Sequence, residues 1–161
     1  MDRDLIDSLF ARYRDPVYRF LRRMLRDGPA AEDLTQDTFL RAMNGRYQAN
    51  GHERAWIFQI ARNLARDRAR ARQRRPALVE YGDHNGASAD PSLAMALDAA
   101  MAGLGDEDRE VFLLREVGGL SYGEIAAACG LTPDAVRSRL HRARLTLRAA
   151  LTPASGSGER P

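Results

Sequence analysis

Residues 120–144 read LSYGEIAAACGLTPDAVRSRLHRAR, and this stretch decides the fold class. Ser121-Tyr122-Gly123-Glu124 is a capping box, in which the Ser and Glu side chains satisfy each other's orphan backbone N–H groups. A short helix with Ile125 and Ala126 follows. Gly130 is placed for the left-handed turn that ends it. Thr132-Pro133 then opens a second helix with an N-cap and a first-turn proline. The inner line of that helix is Val136, Leu140, Ala143, Leu147 and Leu151. A capped helix, a tight turn and a second capped helix make a helix-turn-helix. With Val136, Leu140 and Ala143 inward, Arg137, Ser138, His141 and Arg142 share an outward face, suited to base edges in a major groove. Arg139, Arg144 and Arg148 fall to the flanks, where phosphates lie. The plainer alternative is an amphipathic hairpin with a solvated basic face. Cys129, in the turn, reads as a small packing residue.

Upstream, helical periodicity dominates. Leu5, Ile6, Leu9, Phe10 and Tyr13 recur at helical spacing. Asp15-Pro16 reads as the start of a new helix, with Val17, Phe20, Leu21, Met24 and Leu25 as its stripe and Gly28 as its end. A further helix covers 30–43: Leu34, Thr38, Phe39, Ala42 and Met43 form its apolar side, and Glu32, Asp33, Gln36 and Asp37 its acidic side. Asn44-Gly45 and Asn50-Gly51 mark turns. A long helix is expected over 53–75. Trp56, Ile57, Ile60, Ala61 and Leu64 give it a buried side, and seven arginines occupy 62–75. Residues 76–90 lack periodicity and read as a linker with a reach of roughly 50 Å. Asp90-Pro91 opens a helix lined by Leu93, Leu97, Met101 and Leu104. Asp106 is expected to cap the next, which carries Val111, Phe112, Leu114 and Val117. The tail, 152–161, is Gly/Ser/Pro-rich and expected to be disordered. The expectation is an all-α chain of two small helical domains, 1–75 and 91–151, joined by the 76–90 linker.

Charge supports two polyanion-facing modules. The 161 residues carry a net +3, divided as +7 over 1–75, −7 over 76–108 and +3 over 109–161. All 25 basic residues are Arg. Arg is the residue for bidentate phosphate and guanine recognition, but codon bias in a GC-rich genome is the better explanation for the absence of Lys, so position carries the argument. The 53–75 helix sets Arg beside aromatics: Trp56 and Phe58 on the helix, Tyr47 in the loop before it. Arg tracks a phosphate backbone while aromatic faces stack unpaired bases; the bland reading is that Trp56 and Phe58 are core. Asn63 and Asp67 lie four apart among the arginines. The amide both donates and accepts, as a base-reading pocket requires, and the carboxylate is placed to pair with Arg66 or Arg70.

Other classes are excluded. No apolar run approaches the roughly 20 residues that span a bilayer, and the N-terminus has no signal-peptide pattern, so a cytoplasmic protein is expected. One cysteine and three scattered histidines (His52, His84, His141) offer neither a disulfide framework nor a metal-ligand spacing. There is no nucleophile–base pair and no phosphate-cradling Gly loop. No enzyme activity, metal or cofactor is expected.

Three runs carry a family resemblance. Residues 31–39 (AEDLTQDTF), 55–67 (AWIFQIARNLARD) and 120–126 with 136–144 (LSYGEIA, VRSRLHRAR) resemble, in that order, regions 2.2, 2.3–2.4 and 4.2 of the sigma-70 family of bacterial RNA polymerase sigma factors. The small size, without a region 1.1 or region 3 domain, resembles the extracytoplasmic-function type. The resemblance implies that Asp33, Gln36 and Asp37 dock on the clamp helices of the polymerase's largest subunit, and that the chain also contacts the polymerase flap. It implies that Trp56, Tyr47, Asn63, Asp67, Arg62, Arg66 and Arg70 serve the −10 element, Asn63 at a base-pocket position and loop 47–55 closing the pocket. It also implies that Arg137, Ser138, His141 and Arg142 read the −35 element, with Arg139 and Arg144 beside them. The linker would run through the polymerase cleft, and an anti-sigma partner is implied. Loop 47–54 departs from the family's usual aromatic–basic–Gly pattern. The competing reading is a stand-alone helix-turn-helix regulator, which has no need of Arg beside Trp56 and Asn63.

Overall fold

The computed structural model describes residues 3–46, 51–74 and 91–152. The expected linker, Tyr47, Asp90 and the tail beyond Thr152 lie outside them. Among the described residues there are seven α-helices and no strand. In chain order they are α1 (Arg3–Leu25), α2 (Gly28–Asn44), α3 (Glu53–Arg74), α4 (Pro91–Ala102), α5 (Asp106–Glu116), α6 (Tyr122–Cys129) and α7 (Pro133–Leu151).

The first three helices form one module. Its α1 is a single helix with Pro16 inside it, where a break at Asp15-Pro16 was expected. Proline removes one backbone donor at a cost of roughly 3 kcal/mol. The helix continues because Leu9, Tyr13, Val17, Phe20 and Leu21 keep one buried stripe on both sides of the proline. Each such side chain contributes about 1.5–3 kcal/mol on burial. Its end also differs from expectation. Arg26, not Gly28, takes the left-handed conformation (φ 57°), and Gly28 is already helical. Asp27 is the N-cap of α2: one carboxylate oxygen accepts from the Ala30 N–H at 3.1 Å, and the other accepts from Arg72 of α3 at 2.7 Å.

Small residues let α2 lie close to its neighbours: Ala30, Ala31 and Ala42 are buried with Leu34 and Phe39. Buried Thr35 and Thr38 donate back to the Ala31 and Leu34 carbonyls at 2.6 and 2.7 Å, so neither hydroxyl is orphaned. Met43, expected inside, is half exposed. The buried line of α3 is Ile57, Phe58, Ala61, Leu64 and Ala65. Phe58 meets Phe20 edge-to-face at 5.6 Å.

The second module is α4–α7. Its core holds Val111, Leu113, Leu114, Leu120, Ile125, Val136, Leu140, Ala143 and Leu147. Gly105 rather than Asp106 stands at the N-cap of α5, with no side-chain cap. Asp106 is instead spent on Arg109 at 2.5 Å. Leu93 is exposed, because the start of α4 packs less than its end, where Met101 and Leu104 are buried. Leu151 is likewise exposed at the last turn of α7.

The modules pack on each other, and their buried side chains form one continuous cluster. Gly118, in the turn after α5, sits where a Cβ would meet the Leu114 carbonyl at 2.6 Å and Phe58 of the other module at 3.3 Å. Only glycine permits that approach. Arg23 of α1 binds Asp98 of α4 at 2.7 Å, and His52 binds Glu124 of α6 at 2.9 Å.

Candidate nucleic-acid interface

The helix-turn-helix forms as its local signals dictate. Ser121 Oγ accepts from the Glu124 N–H at 3.1 Å, and Glu124 accepts from the Ser121 N–H at 2.8 Å. Burial pushes the Glu124 carboxyl up, but the Ser121 bonds and His52 outweigh it and hold the group below its ordinary value. Gly130 adopts φ 67°, ψ 37°. Thr132 Oγ1 accepts from the Ala135 N–H at 3.1 Å and starts α7.

On α7, Arg137, Ser138, His141 and Arg142 are all exposed on the face opposite Val136, Leu140 and Ala143. Arg137 pairs with Asp134 at 2.9 Å, and its guanidinium lies 5.9 Å from the centre of the Tyr122 ring. Asp108 holds Arg142 through Nε and Nη2 at 2.7 and 2.9 Å. That pair lowers the Asp108 carboxyl, the Arg142 bond being the largest cause. Arg139 and Arg144 pair with Glu107 and Glu116 at 2.9 and 3.1 Å. Cys129 is half buried, and burial pushes its thiol up to about 11, away from thiolate chemistry.

The face of α3 is more heavily covered. Asn63 and Asp67 are exposed, and Asp67 lies 3.8 Å from Arg70. Arg62 also reaches Asn63 Oδ1 at 3.1 Å. Arg62 and Arg66, expected to face DNA, both bind Glu110 of α5, at 2.5 and 2.6 Å. Glu110 is only 1% exposed. Trp56 is half buried and lines a cavity of about 580 Å³ with Arg46, His52, Gln59, Ser121 and Glu124. Phe58 is core. Tyr47 cannot be placed among these residues, since it lies outside the described ones.

A third surface lies on α2. Asp33, Gln36 and Asp37 are exposed on one face, and Leu40, one turn on, is 55% exposed beside them. Sequence reading passed over both Leu40 and Glu110. Each had a signal: Leu40 continues the polar stripe at helical spacing from Gln36 and Asp37, and Glu110 falls four residues before Leu114 on the inward line of α5. Among the described residues no His/Cys/Asp/Glu cluster can hold a metal ion, and no helix is long and apolar enough to cross a membrane.

Comparison with known proteins matches both modules. The family model for Sigma-70 region 2 matches residues 9–75, and that for Sigma-70, region 4 matches 94–147. The RNA polymerase sigma factor CarQ of Myxococcus xanthus is 40% identical, over 90% of this chain and 88% of CarQ. The ECF RNA polymerase sigma factor SigE of Mycolicibacterium smegmatis is 39% identical over 88% of this chain, which spans 60% of SigE. Among solved structures, the sigma factor RpoE of Bartonella quintana, in complex with the anti-sigma factor NepR, superposes with a TM-score of 0.82. That match has 26% identity and covers 93% of this chain and 98% of RpoE. CnrH, in complex with the cytosolic domain of CnrY, gives 0.72 at 27% identity, covering 93% and 89%.

Proposed function

This chain belongs to the sigma-70 family of RNA polymerase sigma factors, to its extracytoplasmic-function type, and we propose how its surfaces divide the work of promoter-directed transcription initiation. The observation that carries the reading is the pair of arginine-faced helices, one in each sigma region, in the family's order. The exposed face of α7 reads the −35 duplex through Arg137, Ser138, His141 and Arg142, with Arg139 and Arg144 toward phosphates. The face of α3 engages the melted −10 element: Asn63 and Asp67 contact the bases, Trp56 and Tyr47 stack or wall them, and Arg62, Arg66 and Arg70 track the backbone. Asp33, Gln36 and Asp37 on α2 dock on the clamp helices of core polymerase, and the α4–α7 module meets its flap. The domains run 1–75 and 91–151, with 76–90 between them. The chain itself performs no bond chemistry; it confers specificity on an enzyme that does, and it acts in the cytoplasm. An anti-sigma factor is its partner, a reading supported by the similar sigma factor RpoE, solved in complex with the anti-sigma factor NepR.

The test is run-off transcription with purified core polymerase on a cognate promoter. Promoter-dependent transcripts are expected. Tight duplex binding without polymerase, and no transcripts with it, would restore the stand-alone regulator. Asn63→Ala separates the two contacts: it should weaken single-stranded −10 binding and spare −35 duplex binding.

A further inference from the structure

The acids that meet the arginines of α7 are not alike. Those opposite Arg137, Arg139 and Arg144 are 91%, 63% and 47% exposed, whereas Asp108, opposite Arg142, is 14% exposed. Asp108 stands in the first turn of α5 with Asp106 and Glu107, where unpaired backbone N–H groups favour a carboxylate. Its two oxygens are divided between two donors on one edge of Arg142. Oδ2 accepts from Nε at 2.7 Å and Oδ1 from Nη2 at 2.9 Å. The Arg142 bond holds the Asp108 carboxyl below its ordinary value. What such a fork adds is direction more than stability: a planar group seated on two oxygens cannot swing on its long stem as a singly bonded one does.

Donor arithmetic then says what Arg142 has left. A guanidinium carries five N–H donors in one plane. The Asp108 carboxylate takes the Nε–H and one N–H of Nη2. The second N–H of Nη2 and both of Nη1 remain. One on each Nη runs parallel off the outer edge, the arrangement that meets O6 and N7 of guanine. The Arg142 side chain is itself 61% exposed, so that edge is accessible, and it lies on the outward face shared with Arg137, Ser138 and His141. Charge points the same way. Arginine and acid together are neutral, so the pair gains less from a phosphate than a free arginine does. It keeps its donor geometry, which serves a base edge.

We propose that Asp108 is a specificity-determining positioning residue: it seats Arg142 by its Nε edge, so that the outer pair of guanidinium donors reads one guanine of the −35 duplex. The proposal rests on the −35 reading of α7 above. Asp108 touches no DNA and stays on Arg142 in the complex. Recognition by α7 therefore depends on the first turn of α5, a helix outside the helix-turn-helix.

The test uses the full chain in holoenzyme with core polymerase. Competition binding is measured on duplexes of a promoter that the holoenzyme transcribes, each −35 base pair being replaced in turn. Arg142→Ala identifies the base pair that Arg142 reads, as the one position where discrimination is lost. Asp108→Asn keeps the shape but turns one acceptor into a donor, so the two-bond fork cannot form. Discrimination at that same base pair should fall about tenfold, with discrimination at the other positions kept. Because the variant gains one positive charge, its affinity for duplex without the element should not fall. In the double variant, Asp108→Asn should add nothing to Arg142→Ala. Should the amide variant not fold, Asp108→Ala gives the same readout. Intact discrimination at that base pair in a folded Asp108 variant would overturn the positioning role, whether overall affinity rises, as for a mere competitor of DNA, or falls uniformly, as for a structural residue. A uniform loss in Arg142→Ala would instead overturn the base-reading role of Arg142, and the proposal with it.

Discussion

The arginine faces of α3 and α7 have the same chemistry and opposite surroundings. On α7, Arg137 and its partner Asp134 are 66% and 91% exposed, and the acids that hold Arg139, Arg142 and Arg144 belong to the same module. Each of these pairs has at least one partner well exposed to solvent and so contributes little, and a duplex engages this face without rearranging the fold. On α3, Arg62 and Glu110 are 13% and 1% exposed, and the acid comes from the other module. Removing one partner of a buried pair costs about 3–5 kcal/mol. Access to α7 is therefore a matter of local side-chain exchange, while access to α3 requires a module to move.

The largest expected effect tests whether the α3 side is joined to the second module. Phe58 is fully buried, touches Phe20 and faces Gly118. Phe58→Ala should cost about 3–5 kcal/mol of unfolding free energy. In urea melts it should also separate the modules into two transitions; a single transition with a small shift would mean the joint lies elsewhere. Next comes Arg137→Ala on the open face, expected to cost roughly 1–3 kcal/mol at one −35 base pair. A uniform loss across duplex sequences, measured by competition binding, would reassign Arg137 to a phosphate. Asn63→Ala follows, at about 0.5–1.5 kcal/mol per hydrogen bond lost to an unpaired −10 base; equal loss on both elements would break the division between the two faces.

The smallest effect is in acid. The Arg142 bond lowers the Asp108 carboxyl in the folded state. The stability it adds is complete above the unfolded carboxylate pKa of about 3.9 and is lost as pH falls through the lower folded value. Thermal melts at descending pH should therefore fall further in wild type than in Asp108→Asn. Parallel curves would show that the pair is too solvated to register.

What sequence could tell followed the range of each interaction. The α6 capping box, the Gly130 turn and the Thr132 cap are contained within three or four residues, and all three formed as read. So did the exposed faces of Arg137, Ser138, His141 and Arg142 and of Asp33, Gln36 and Asp37. The break expected at Pro16 did not form, because packing of Tyr13, Val17 and Phe20 overrode a local signal. Gly28 was misread because Arg26 took the strained turn instead. Glu110 was missed for a different reason: its place on the inward line of α5 signals burial, but its partners lie 44 and 48 residues away and no local pattern links them.

Asp27 has a consequence of its own. Its carboxylate begins α2 and anchors Arg72 near the end of α3, so these two helices share one rivet. If α2 docks on polymerase and α3 meets melted DNA as proposed, this one carboxylate joins the two surfaces, so that seating on the enzyme and aiming at the parted strands are coupled.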